Sequence, residues 1–339
     1  MSSSLFGILT VGDEQRALWP LDRKAHPFSC RPFFGGKTLF EAAWERMLTV
    51  VQPDRMRIVC PPQVVQVVAE ILPESWHGLI VPKTGGSLAQ IYAVSEEIAR
   101  IQPDSQIVTC PAGMIAGDDL AFSDLVHDAA RLAHATGCVV TGTVAVSEIR
   151  AGYDCILPGD ACIRSGHVVG RDVRRFFPSC SRSEAEAAAD RGGLWMTGIH
   201  LWNTATFLVD ALTVLSETSQ GADEPDIPSG FLSRIRNWLL VPSSLVWDPL
   251  RSYEDLARYI RTDSQANCRI GPGLVNETRD CIVLSDAPDG MILVSGLKNM
   301  LVVQSGDTVL CCQRGDEEKV REALRRFSSA DENLARLLE

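Results

Sequence analysis

Apolar and polar positions fall into two textures along this chain. Up to about residue 150, short apolar runs alternate with longer stretches whose apolar residues recur every three or four positions. Leu5-Phe6 with Ile8-Leu9, Met56 to Cys60, Gly78 to Val81, Gln106 to Cys110 and Gly137 to Val146 have the length and content of strands. Between them, Leu39, Phe40, Ala43, Trp44, Met47 and Leu48 line one face of a helix that runs to Val51. Further helices are expected from Pro61-Pro62 to Leu72, from Ser87 as N-cap to Ile101, and from Asp118 to Ala135. Strands and helices alternating over short loops predict an α/β domain, its sheet mostly parallel with helices on both faces. In such sheets ligands sit at the carboxyl ends of the strands.

The second texture begins near Tyr153. Short strands and turns run to Gly170, a strand is expected over 171–177, and a small helix over 183–191. Gly198 to Asn203 is expected to lead into an apolar helix ending at Leu215. Residues 217–229 are polar and rich in turn formers, so they predict a surface loop, and helices are expected near 230–240 and 252–262. From about Cys268 the chain breaks into short β-runs separated by Asp or Gly turns: Cys281 to Leu284, Gly290 to Val294, Asn299 to Val303 and Thr308 to Cys311. A helix from Asp316 to Phe327 follows. The expected division is therefore a large domain over 1–265 and a small β-appendage with a terminal helix over 266–339.

Composition narrows the function classes. A net charge of -11 gives no basic footprint for nucleic acid, although a few local cations suffice for a small phosphorylated ligand. No apolar run reaches the roughly 20 residues that span a bilayer. The N-terminus lacks a basic segment ahead of its apolar stretch, which argues against a signal peptide. The 11 cysteines form no close pair of the CxxC kind, and several lie inside apolar runs, as reduced thiols of a cytoplasmic protein do. Neither they nor the scattered histidines have zinc-site spacing.

The candidate chemistry starts with the first strand. It runs into Val11-Gly12-Asp13-Glu14-Gln15-Arg16, a polar turn where backbone N–H groups can converge on phosphate, and then into Leu18-Trp19-Pro20-Leu21-Asp22-Arg23. On these residues the chain resembles the bacterial mannose-1-phosphate guanylyltransferases, a branch of the sugar nucleotidyltransferases whose signature is AGGSGTRLWPLSR followed by PKQF. Gly12, Arg16, Trp19-Pro20-Leu21 and Arg23 match that pattern. Val11 and Glu14 stand where the family has glycine, one residue is inserted, and Phe28 takes the place of the PKQF lysine. The resemblance extends from Ile8 to Phe327. It implies a Rossmann-like nucleotidyltransferase (GT-A-like) core with a short C-terminal β-helix-like unit.

That family joins a sugar phosphate to a nucleoside triphosphate, with Mg²⁺ on carboxylates and cations on the leaving group. Set against those needs, the family motifs are only half present. The metal-binding LPADH becomes Cys110-Pro111-Ala112-Gly113-Met114, with Gly113 at the aspartate. The WSDVGSW segment becomes Trp247-Asp248-Pro249-Leu250-Arg251-Ser252-Tyr253, which sets Pro249 at the metal position and Asp248 one residue early. ETGYGYI becomes Arg150-Ala151-Gly152-Tyr153-Asp154-Cys155-Ile156. FxEKP is replaced near Phe176-Phe177-Pro178-Ser179, WNSGMF becomes Trp202-Asn203-Thr204-Ala205-Thr206-Phe207, and the GRNTAP loop becomes Thr84-Gly85-Gly86-Ser87-Leu88-Ala89 without its arginine.

Positions with a packing role survive and positions with a charge role fail. The resemblance thus implies a pocket lined by Gly12, Arg16, Arg23, Gly85, Gly86, Pro111, Gly113, Gly152, Tyr153, Trp202, Asn203 and Asp248. For Trp19 to Leu21 and for Trp202-Asn203, aromatic and proline content favours a core role over ligand contact. The leading expectation is a family member without catalysis and without cofactor. It would bind a nucleotide or nucleotide sugar, or serve as a regulatory or structural subunit of a homo- or hetero-oligomer, with the β-appendage as the surface for association. The alternative is a divergent active enzyme making a GDP-mannose-type sugar nucleotide, its Mg²⁺ site rebuilt from Asp248, Lys24, Arg31 or Asp13. A third reading places new chemistry on His26, Cys30 or Cys110.

Overall fold

The computed structural model describes residues 4–12, 18–23, 25–32, 36–82, 87–217, 225–287 and 290–328. Two compact units divide the chain: Met1–Asp13 with Pro32–Pro249, and Glu14–Arg31 with Leu250–Glu339.

In the first unit the predicted alternation is present. It runs β1 (Leu5–Thr10), α1 (Leu39–Leu48), β2 (Met56–Cys60), α2 (Val65–Ile71), β3 (Leu79–Pro82), α3 (Ser87–Ile101), β4 (Gln106–Pro111), β5 (Ile115–Ala116), α4 (Asp119–Thr136) and β6 (Val139–Ala145). Local chemistry sets the helix ends. Thr38 accepts the Glu41 N–H at 3.0 Å while the Glu41 carboxylate accepts the Thr38 N–H at 2.7 Å, a reciprocal cap on α1. Asp118 caps α4, and Gly137 stops it in the left-handed region at φ 72°.

The unit continues with β7 (Cys155–Ser165), β8 (Val168–Phe177), α5 (Arg182–Ala189), β9 (Leu194–Asn203), α6 (Thr204–Glu217), β10 (Trp238–Ser243) and β11 (Trp247–Asp248). Among the described residues nine strands form one sheet in the order β3-β2-β1-β4-β9-β6-β10-β8-β7. The pairs β1/β2, β1/β4, β2/β3 and β6/β10 are parallel, whereas β9 runs antiparallel to both β4 and β6. This is the mixed, mostly parallel sheet of a nucleotidyltransferase fold.

One strand was not anticipated and one helix is corrected. Gly198 to Asn203 is the end of strand β9 and leads into the expected helix, which begins at Thr204. Residues 230–240 are not a helix: a single π turn covers Ile227–Leu232, and Trp238–Ser243 is a strand. Both runs are apolar and buried on two faces, between β4 and β6 or beside β6, so neither shows an alternation that distinguishes strand from helix. The core behind them includes Trp202 stacked on Phe207 at 4.3 Å, with Phe231 edge-on to Phe207 at 5.2 Å. The polar loop expected over 217–229 lies largely outside the described residues.

The second unit contains α7 (Tyr253–Ala257), β12 (Cys268–Ile270), β13 (Gly273–Asn276), β14 (Ile282–Ser285), β15 (Ile292–Ser295), β16 (Met300–Ser305), β17 (Thr308–Gln313) and α8 (Glu317–Ser328). The helix expected over 252–262 is thus shorter, confined to α7. β12, β14 and β16 pair in parallel, as do β13 and β15, and β17 folds back antiparallel on β16. The β-appendage is therefore a coil. Hydrogen bonds from Asn276 to Ser295, Ser285 to Gln304, Leu297 to Thr278 and Ser305 to Asp286 each link residues 19 apart, the spacing of the β14-to-β16 and β13-to-β15 registers, whereas Cys268 of β12 meets Ile282 of β14 after only 14. Its interior holds Cys281, Val283, Val294 and Val302.

The stretch from Leu18 to Arg31 packs within this second unit. The buried Tyr253 hydroxyl lies 2.8 and 3.0 Å from the Leu18 and Trp19 carbonyl oxygens, and burial raises its pKa well above the usual phenol value. Trp19, Pro20 and Leu21 are buried, as their packing role implied. Among the described residues no helix is long and apolar enough to cross a membrane.

Candidate functional site

The carboxyl ends of β1 and β4 lie side by side, with Thr10 in register with Pro111 and the Ala112 N–H donating to the Thr10 carbonyl at 2.8 Å. Gly12 and Gly113 continue from these neighbouring ends. Gly12 has φ 77°, and a Cβ there would come within 2.8 Å of the Pro61 ring, so both backbone and space require glycine. Two residues beyond Gly113, β5 turns to pair with β11 and sets Ile115 opposite Asp248. A two-residue ladder thus carries Asp248 to the β4 end of the sheet.

Asp248 is 2% exposed and is the centre of a polar cluster. The Arg150 guanidinium lies 3.1 Å from its Oδ2, and the Tyr153 hydroxyl donates to its Oδ1 at 3.3 Å. Arg150 also donates to the Tyr153 oxygen at 3.0 Å, lies over the Tyr153 ring at 5.3 Å and reaches Glu148 at 3.2 Å. Tyr153 is framed by Trp195 and Trp247, with ring centres 5.5 and 5.9 Å away. The Trp247 indole donates to the Thr197 carbonyl at 2.9 Å, which fixes β11 against β9. Gly152 makes the turn ahead of Tyr153 at φ 79°, and its N–H donates to the Cys180 carbonyl.

Of the residues that the resemblance placed in one pocket, Gly12, Pro111, Gly113, Gly152, Tyr153 and Asp248 are brought to this end of the first unit. Trp202 and Asn203 are not. They are in register with Ile107 and Gln106, roughly 13 Å back along β4 at its amino end. Trp202 is fully buried in the core, and Asn203 donates to the Ala133 carbonyl at 2.9 Å while its Oδ1 accepts from Gln106 at 3.0 Å. Both are packing and turn residues. Arg23 serves the second unit, donating to the Ser305 carbonyl at 3.2 Å and to Thr308 Oγ1 at 2.8 Å. Arg16, Gly85 and Gly86 lie outside the described residues, as do Asp13, Glu14 and Lys24.

Of the residues proposed to rebuild a metal or phosphate site, the two described, Asp248 and Arg31, are used otherwise. Arg31 pairs with Asp286 inside the second unit, and burial lowers its pKa. Phe28, at the lysine position, is 3% exposed. Mg²⁺ needs several oxygen donors in near-octahedral array. Gly113 offers no side-chain oxygen, and Asp248 is already neutralised by a guanidinium. Among the described residues no group of three or more His, Cys, Asp and Glu could hold a metal. The described residues do not fit the ion. Burial pushes the Cys110 thiol up to about 12, away from the thiolate that reacts.

Arg150 is the residue that motif reading passed over. Its signal lay in the sequence: an arginine stands where ETGYGYI begins with glutamate, a reversal of charge beside a retained Gly-Tyr.

No protein-family model matches the chain. Among curated proteins, a mannose-1-phosphate guanylyltransferase of Salmonella typhimurium is 21% identical over 367 residues, spanning 97% of this chain and 74% of that protein. One from Klebsiella pneumoniae is 22% identical over 357 residues, spanning 94% and 73%. Among solved structures, a Thermus thermophilus protein described as a mannose-1-phosphate geranyltransferase matches with a TM-score of 0.79 at 22% identity, over 96% of this chain and 99% of that one. A putative glucose-1-phosphate thymidylyltransferase from Bacillus anthracis matches with a TM-score of 0.52 at 13% identity, over 76% and 94%. These structures share the fold.

Proposed function

We propose that this chain, a divergent relative of the mannose-1-phosphate guanylyltransferases, works without catalysing nucleotidyl transfer. It keeps the family's sheet and the pocket end of its strands, binds a nucleotide or nucleotide sugar there, and acts as a regulatory or structural subunit with copies of itself or with another protein.

One observation carries the reading. The carboxylate nearest the family's metal position, Asp248, is buried and spent on Arg150 and Tyr153, and its expected companion is Gly113. Nucleotidyl transfer relies on a cation to bridge phosphate oxygens and spread developing charge, and loss of that ion costs orders of magnitude in rate. What remains supports binding. The carboxyl ends of β1 and β4 lie side by side and continue into Gly12 and Gly113, at the end of the sheet where ligands of such folds sit.

The test is pyrophosphate release from GTP and mannose 1-phosphate with Mg²⁺, run beside thermal-shift titrations of GTP, GDP-mannose and mannose 1-phosphate. Binding that is indifferent to Mg²⁺, with no pyrophosphate released, is the expected result. Turnover overturns the reading in favour of an active enzyme. Silence in both assays leaves only the subunit role.

A further inference from the structure

We propose that the second unit carries a binding site for a free α-amino acid, in a cleft built around Arg314. This goes beyond the nucleotide reading and does not depend on it. The cleft has a volume of about 570 Å³ and is lined by Glu254, Asp280, Lys298, Asn299, Arg314 and Gly315. All six belong to the second unit. That is room for one small molecule, and the polar lining selects a charged one. Its floor is fixed. Arg314 donates through Nε and Nη2 to the Glu254 carboxylate at 2.8 and 2.6 Å, and through Nη1 to the Asp280 carbonyl at 3.0 Å. The Arg314 backbone N–H donates to the Asn299 carbonyl at 3.2 Å. A guanidinium has five N–H donors, so two are left over.

The walls hold groups that the floor does not use. Arg279 and Lys298 bridge in parallel, which sets Asp280 and Asn299 on neighbouring rungs of the coil. Elsewhere polar side chains related in this way bond to each other, as Ser285 does to Gln304 and Ser305 to Asp286. Asp280 and Asn299 do not. Among the described residues neither of their side chains makes a hydrogen bond, and the exposed Lys298 ammonium has neither hydrogen bond nor ion pair. The cleft thus offers a cation and a carboxylate that are not paired with each other, beside a carboxamide and two spare guanidinium donors. Over its four charged side chains, Glu254 and Asp280 balance Lys298 and Arg314. A dianion such as a phosphate monoester gains little from that balance, whereas a zwitterion meets an opposite charge at each end. The ligand carboxylate faces Lys298 and Arg314, and its ammonium faces Asp280 and the Asn299 carbonyl oxygen. A free α-amino acid is a small molecule that carries both groups.

The experiment titrates the full chain with each of the common amino acids by thermal shift, and measures Kd by isothermal titration calorimetry. The probes set against them are the N-acetyl and amide derivatives of the best binder, which lack one charge each, and mannose 6-phosphate. At least one free amino acid should bind with a Kd on the order of 0.1–1 mM and, at roughly 20 mM, raise the melting temperature by about 3–6 °C. Blocking either charge should weaken binding about tenfold, and mannose 6-phosphate should not bind. Lys298→Gln and Asp280→Asn should each weaken it by about the same factor, and the double variant should lose it. Lys298 is exposed, and asparagine keeps the size of Asp280 and accepts its φ of 54°, so the unliganded variants should melt with wild type. The proposal is overturned if no amino acid binds, if the blocked derivatives bind as well as the free ones, if mannose 6-phosphate binds in their place, or if binding survives the double variant. No nucleotide enters these titrations, so pyrophosphate release and the nucleotide titrations test the other reading separately.

Discussion

The strand-end cluster of the first unit and the coil of the second hold their polar groups in opposite ways. In the coil, three polar side chains are answered by others 19 residues on: Asn276 by Ser295, Ser285 by Gln304, Asp286 by Ser305. The partners recur, and they serve the backbone turns. In the cluster, Arg150 and Tyr153 from one loop meet Asp248 from a distant strand, once. The difference shows which polar residues the fold requires. Those of the coil are structural by repetition, while those of the cluster occupy the place in this fold where ligands bind.

The largest expected effect that separates the two regions is acid sensitivity. His200 lies in the first unit beside Thr141, and burial lowers its pKa from 6.5 to about 3. The unfolded chain therefore binds this proton at higher pH than the folded one. Stability from this group is intact above about pH 6.5 and falls by about 1.4 kcal/mol per pH unit below it, until the folded pKa is reached. Urea melts at pH 7 and pH 4 should differ by about 3 kcal/mol on this account, and His200→Gln should flatten the dependence. A pH-independent first unit would break the comparison, because the coil holds no buried histidine.

Next in size is Asn267→Ala in the second unit. Its side chain donates to the Thr278 carbonyl at 2.8 Å and accepts the Cys281 N–H at 3.0 Å, both buried. Leaving those groups without partners should cost about 2–3 kcal/mol in urea denaturation, with nucleotide binding by the first unit unchanged. Asp248→Asn should cost less, about 1–2 kcal/mol, because Arg150, left facing an amide, keeps some access to water. Thermal-shift responses to nucleotides should change in this variant and not in the coil variant. Smallest is Arg23→Gln, about 1 kcal/mol, since an amide can keep a hydrogen bond to the Ser305 carbonyl or to Thr308, and the pair with Asp307 is 3.6 Å long with that aspartate exposed. A loss of nucleotide affinity in Arg23→Gln would return that arginine to the pocket and undo its assignment to the second unit.

Much of this architecture was legible in the residues. The run from β1 to β6 was readable because its helices show one apolar face and its strands are bounded by turns. β9 and β10 were not, because Trp195, Ile199, Leu201 and Trp238 to Val241 sit in strands covered on both sides. Their apolar runs lack the period that reports a strand. At the candidate site, the identities of Gly113 and Asp248 were visible and their roles were not. Tyr153 and Asp248 are 95 residues apart and meet only because the β5–β11 ladder sets the register. A two-residue ladder leaves almost no trace in sequence. The charge reversal at Arg150 was there to be read, but only its pairing with Asp248 gives it meaning.

The coil also changes its stride. Cys268 meets Ile282 after 14 residues, while Ile282 meets Leu301 after 19. The side-chain ladder belongs to the longer stride, where Asn276 meets Ser295 and Asp286 meets Ser305. A single residue inserted between β14 and β16 outside the loop tips would slip those pairs out of register and turn the inward side chains outward.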